Sequence, residues 1–168
     1  RKELILCEGY MDVVSMHQAG FTNAVATLGT ALTEEQCRLI AQYTGEVLLS
    51  YDSDGPGQAA TQRAIGLLEA AGVKSKVLSI PDAKDPDEFI KKFGAERFGQ
   101  LIEGSSSATD FAIGKLRKEN DVTTAEGKVS FLKQFAVLMA GLPSPIEREV
   151  YLSKICRELE VDKAAVAG

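Results

Sequence analysis

Short apolar runs of strand length and longer amphipathic stretches alternate through the first half of the chain. Glu3 to Cys7 has the pattern of a buried strand, and Tyr10 to Ala19 that of a helix closed by Gly20. Thr22 to Thr27 returns to strand. Thr33-x-x-Gln36 is a capping box and opens a helix reaching Tyr43, with Gly45 past its end. Glu46 to Tyr51 is a third strand, and the loop Asp52 to Gly57 leads into a helix from about Gln58 to Ala71, stopped at Gly72. Lys74 to Ile80 is the fourth, ended by Pro81. Strands separated by helices at this spacing predict an α/β fold, a four-stranded parallel sheet flanked by helices on both faces. Past Pro86 the strand pattern stops. Asp87 to Val166 has helical spacing, broken at Gly94, Gly104-Ser105-Ser106-Ser107, Asn120 to Thr123 and Pro143-Ser144-Pro145. These breaks place a boundary near Ser105, with an α/β domain over 1–104 and an all-helical C-terminal subdomain over 105–168.

Composition narrows the class. With 168 residues, 45% hydrophobic and 26% charged, the chain has room for one full domain and a smaller unit. Its longest apolar runs are strand-sized, which argues against a membrane span. The chain opens Arg1-Lys2-Glu3 and enters a strand at once, without a signal-peptide pattern or an initiator Met; this suggests a piece of a longer, cytoplasmic protein. Cys7, Cys37 and Cys156 are far apart with no C-x-x-C pair, which excludes a zinc site or disulfide framework built from them. The net charge of −5 gives no bulk attraction for nucleic acid. On a polyanionic substrate, metal ions or a separate basic module must reverse that sign.

Open parallel sheets collect function at the carboxyl ends of their strands, and here that edge is acidic. Glu8 ends the first strand, with Asp12 one helical turn later; Asp52-Ser53-Asp54 ends the third; Asp82, Asp85 and Asp87 follow the fourth. Like charges gathered on one rim destabilise the fold unless cations neutralise them. An all-oxygen donor set without His or Cys points to a hard ion, Mg²⁺ first and Mn²⁺ second. Singly, such aspartates cap helices or face water, and Asp12 and Asp82 fit that role well. Glu8, at the immediate end of a buried strand, does not.

Two look-alikes fail. Asp52-x-Asp54 with Gly57 imitates the start of an EF-hand loop, but Arg63 stands where a bidentate Glu is required. Gly55-x-Gly57-x-x-Ala60 with Asp82 downstream imitates a dinucleotide fingerprint. It follows the third strand instead of the first, its aspartates repel pyrophosphate, and Pro56 removes a backbone donor.

The strings Glu8-Gly9-Tyr10-Met11-Asp12, Leu28-Gly29-Thr30, Tyr51-Asp52-Ser53-Asp54-Gly55-Pro56-Gly57 and Lys84-Asp85-Pro86-Asp87-Glu88 together resemble the toprim (topoisomerase-primase) part of bacterial DNA primase. The resemblance is strong from Leu4 to about Phe98. It continues more loosely through Glu147-Arg148-Glu149-Val150-Tyr151-Leu152, similar to the family's helical subdomain. It implies a fragment of an RNA-polymerase core that copies single-stranded DNA into short RNA primers from ribonucleoside triphosphates. Glu8 is then catalytic and metal-proximal, Asp52, Asp54, Asp85 and Asp87 are metal ligands, and Asp12 is a supporting acid. Mg²⁺ is the implied cofactor, with Mn²⁺ able to substitute and zinc confined to a domain outside this chain. The resemblance also implies that template-binding charge lies in a separate basic segment, and helicase contact in a C-terminal domain, neither within these residues. Alternatives from other classes are another toprim enzyme, such as a topoisomerase or nuclease, and a non-catalytic metal-nucleotide or Rossmann-type binding module. His17, the basic run Lys115, Arg117 and Lys118, and the apolar series Phe131, Phe135 and Leu138 are expected to be surface, solvated face and core respectively.

Overall fold

The computed structural model describes residues 3–27, 29–52 and 55–167, so Leu28, Ser53 and Asp54 lie outside the described residues. The chain packs as two compact units that divide between Thr109 and Asp110, a little beyond the expected boundary at Ser105.

In the first unit the order is β1 (Glu3–Cys7), α1 (Tyr10–Gln18), β2 (Ala24–Ala26), α2 (Glu34–Ala41), β3 (Glu46–Ser50), α3 (Gly55–Ala70), β4 (Lys74–Val77), α4 (Pro86–Phe93), α5 (Ala95–Glu103) and β5 (Ser106–Ser107). The sheet runs β2-β1-β3-β4-β5, with the first four strands parallel. The fifth adds an antiparallel edge that the sequence does not announce. Ser106 and Ser107 have no strand periodicity; they join the sheet by pairing with Val77 and Lys76.

Alternation along the central strands sorts side chains onto two faces. Leu6, Val47 and Leu49 pack with Cys37 and Ile40 of α2 and Ala64 and Leu68 of α3. Ile5, Cys7 and Leu48 pack with Met16 of α1, Phe89 of α4 and Phe98 of α5. Both faces being covered is why β1 and β3 read as continuous apolar runs. Because α1 and α2 lie on opposite faces, the chain path reverses between β1 and β3. That reversal is a topological switch point, and it opens a crevice beyond the carboxyl ends of those two strands.

Local chemistry sets the helix starts. Thr33 Oγ1 accepts the Gln36 N–H at 3.2 Å while Gln36 Oε1 accepts the Thr33 N–H at 3.0 Å, the expected capping box. α3 begins earlier than expected, at Gly55, because Pro56 suits a first helical turn, where its missing N–H has no partner to lose.

The second unit contains α7 (Ala125–Ala140), α8 (Pro145–Leu159) and α9 (Lys163–Ala167), together with most of α6 (Ala108–Glu119). Phe131, Phe135 and Met139 of α7 pack with Leu152, Ile155 and Leu159 of α8 and Ile113 of α6, so Phe131 and Phe135 of the expected series are core, while Leu138 is half-buried against it. The basic run is a helix surface. Arg117 pairs with Glu158 and lies 5.4 Å over the Phe131 ring, and Lys115 reaches Glu119 at 3.8 Å. No helix among the described residues is long and apolar enough to cross a membrane.

Candidate metal centre

The β1–β3 switch point opens into a cavity of about 450 Å³. Its lining includes Glu8 and Gly9 after β1, Asp12 on α1, Tyr51 and Asp52 after β3, and Asp85 before α4. Thr27, residues 29–32 and one face of α3, Ala60, Arg63 and Ala64, contribute as well. Parallel register pairs Cys7 with Ser50, so the first residues beyond each strand, Glu8 and Tyr51, leave the sheet side by side. Burial pushes the Tyr51 hydroxyl up to about 12, and the nearby Glu8 charge adds to it.

Asp85 has two faces. One carboxylate oxygen caps α4, accepting the Glu88 N–H at 2.8 Å, while the residue borders the cavity. Asp87 is held apart from the cavity lining by Ser15, which donates to it, and by Lys91 at 2.7 Å; these partners keep its carboxyl below the usual range. It ties α4 to α1. Asp12 is 8% exposed, and its carboxyl is pushed up to about 6. Burial is the main cause, Asp85 adds to it, the Asp87 backbone N–H opposes it, and Asp52 and Asp87 raise it further. The acids predicted to converge therefore feel one another.

Asp82 has φ 59, a left-handed turn conformation that Asp tolerates, and is exposed outside the cavity lining, as a turn residue should be. Asp54, predicted as a ligand, lies outside the described residues. His17 is exposed, with Nε2 3.0 Å from the Ala24 carbonyl oxygen. The three cysteines are buried free thiols, and burial with Asp12 nearby pushes Cys7 up to about 12, so it stays protonated. Sequence reasoning did not single out Arg63, Lys84 or Tyr51 as site residues. For Arg63 the signal was present: Ala60, Arg63 and Ala64 share one helical face.

The donor set fits a hard divalent ion. Glu8, Asp12, Asp52 and Asp85 border one cavity and supply oxygen only, and the Asp12 carboxyl, raised first by burial and then by Asp85, would be favoured in its ionised form by a nearby cation. Among the described residues no three Asp, Glu, His or Cys side chains form a ready cage. Mg²⁺ is commonly bound by one or two carboxylates together with waters and phosphate oxygens.

Comparison with known proteins identifies the family to which this sheet belongs. A family model described as Toprim-like matches residues 5–90, and the chain belongs to that family. Its relatives are DNA primases. The DNA primase of Clostridium acetobutylicum is 40% identical over 163 residues, 97% of this chain and 27% of that protein. The RNA polymerase domain of Mycobacterium tuberculosis primase, solved with double-stranded DNA, superposes with a TM-score of 0.81 at 30% identity. That match covers 96% of this chain and 52% of the other. A primase catalytic domain bound to single-stranded DNA gives 0.76 at 29% identity, covering 98% and 53%. The chain spans roughly a quarter of the curated relatives' length, 27% and 28% for the first two. A second family model, described as the DnaB-helicase binding domain of primase, matches residues 109–164, nearly the whole helical unit. A helicase-binding pattern thus falls inside the chain, where helicase contact was expected only beyond it.

Proposed function

We propose that this chain is the metal-binding part of a replicative primase's RNA-polymerase core, acting in the cytoplasm on single-stranded DNA and ribonucleoside triphosphates. The observation that carries this reading is the convergence of Glu8, Asp12, Asp52 and Asp85 on one cavity at the β1–β3 switch point. Glu8, Asp52 and Asp85, with Asp54, hold Mg²⁺ or Mn²⁺; Asp12 supports them, and Asp87 keeps α4 and its Asp85 cap seated on α1. When bound, a pair of such ions supplies the lowered pKa of a primer 3′-hydroxyl and the neutralisation of departing pyrophosphate. The protein contributes position and charge. Glu8 lies where β1 leaves the sheet, and pairing of β1 with β2 on one side and β3 on the other fixes its direction. In the full-length enzyme, Glu8→Gln should lower primer synthesis by a few orders of magnitude, the usual scale for lost charge stabilisation, with unchanged melting. Near-normal priming would make Glu8 structural.

The helicase-binding match supports a role for α6–α9 in contacting a replicative helicase. Ile146 and Val150, one turn apart on α8, are 79% and 60% exposed and give that contact apolar area. Ile146→Asp/Val150→Asp in the full-length protein should weaken helicase binding, read by co-sedimentation, without lowering the melting temperature. Undiminished binding would return the contact to another domain.

A further inference from the structure

Among the described residues two cations, Arg63 and Lys84, line the acidic cavity. Arg63 comes from the cavity-facing side of α3, near enough to Tyr51 for its charge to be felt there. Lys84 comes from the loop ahead of Asp85. Among the described residues no ion pair is formed by either. The Lys84 backbone N–H donates to Glu88 Oε2 at 2.6 Å and its charge is felt by that carboxylate, but the ion pair of Glu88 is made with Lys92 at 2.8 Å. Both side chains are exposed and border the same cavity as Glu8, Asp12, Asp52 and Asp85.

We propose that Arg63 and Lys84 form a phosphate clamp, holding the outer phosphate oxygens of a triphosphate whose inner oxygens face the carboxylate-bound ions. This deepens the proposed function and rests on its metal-site reading. The cavity, about 450 Å³, is of a size that takes a nucleotide-scale ligand. Its carboxylates by themselves would repel a polyphosphate. Divalent ions held by Glu8, Asp52 and Asp85 would cancel that repulsion at the acidic floor. Oxygens pointing away from the floor need donors of their own. Arg63 offers a planar fork suited to two phosphate oxygens, and Lys84 a point charge.

The test is calorimetry on this chain. Mn²⁺ is titrated first; inorganic tripolyphosphate and ATP are then titrated separately at saturating Mn²⁺. Arg63→Gln and Lys84→Gln should each leave Mn²⁺ affinity within about twofold and weaken both triphosphate ligands by about tenfold, the scale of one charge-assisted contact. Equal losses for tripolyphosphate and ATP assign the contact to the phosphates. A loss confined to ATP would overturn the clamp in favour of base or sugar contact. Lys74→Gln, at the amino end of β4 and away from the cavity lining, is the control for general charge; a comparable loss there would also overturn the clamp. Normal Mn²⁺ binding with unchanged triphosphate affinity in the variants removes the clamp alone. A parent chain that binds neither Mn²⁺ nor triphosphate removes the metal-site reading, and the clamp with it.

Discussion

Asp12 shows how residue chemistry reports the site. Its carboxyl titrates near 6 in the folded chain against an ordinary 3.8. The folded state therefore holds a proton more tightly than the unfolded one. That contribution is complete below about pH 4 and is lost as pH rises through 6, so ionised Asp12 destabilises the metal-free fold at neutral pH. Asp12→Asn should raise stability in chelator at pH 8, by on the order of 1–3 kcal/mol, and the gain should vanish towards pH 4. Thermal melts across that range check it; a gain that grows as pH falls would contradict the cause assigned here. From the sequence, Asp12 reads as a helix-end acid with a bland role, because its burial and its neighbours Asp52, Asp85 and Asp87 come from distant segments. Glu8 and Asp52 were legible directly, since strand ends follow from the apolar pattern. Arg63 had helical spacing but no strand-end logic to single it out, and Lys84 had neither.

Among the elements, β1, β3 and the capped α2 follow from local pattern, and the structure places them within a residue or two of expectation. The expected second strand, Thr22–Thr27, shortens to Ala24–Ala26 at the edge of the parallel set, and the fourth, Lys74–Ile80, ends at Val77. Leu78 and Ile80 are still buried, so their apolar character marks packing beyond the ladder. β5 was invisible because a two-residue edge needs only backbone. α4 is the element on which the site most depends. Asp85 caps it, Pro86 begins it, and Asp87 joins it to Ser15 on α1. Asp87→Ala should loosen that joint while leaving the Asp85 cap in place. Hydrogen exchange should then speed in α4 more than in α2, and Mn²⁺ affinity should fall several-fold. Equal protection in both helices would show that α4 is seated by its apolar face, Phe89, Ile90 and Phe93, without Asp87.

At the scale of the whole chain, two units with separate cores support independent stability: one on a covered parallel sheet, the other on Phe131, Phe135 and the α8 leucines. A net charge of −5 gives little hold on a template, whose binding depends on cationic contacts to phosphate. The chain alone should therefore fold, bind metal and nucleotide weakly, and make no primers, and an upstream basic segment should restore synthesis. Robust labelled primers on single-stranded DNA from this chain by itself would refute that division of labour. The metal site is tested most directly by Mn²⁺ titration, followed by calorimetry, of the parent chain beside an Asp52→Ala/Asp54→Ala double variant. The parent should bind saturably and melt at a higher temperature with added ion, and both effects should be lost in a variant that stays folded. Equal Mn²⁺ binding by the two proteins would contradict this assignment.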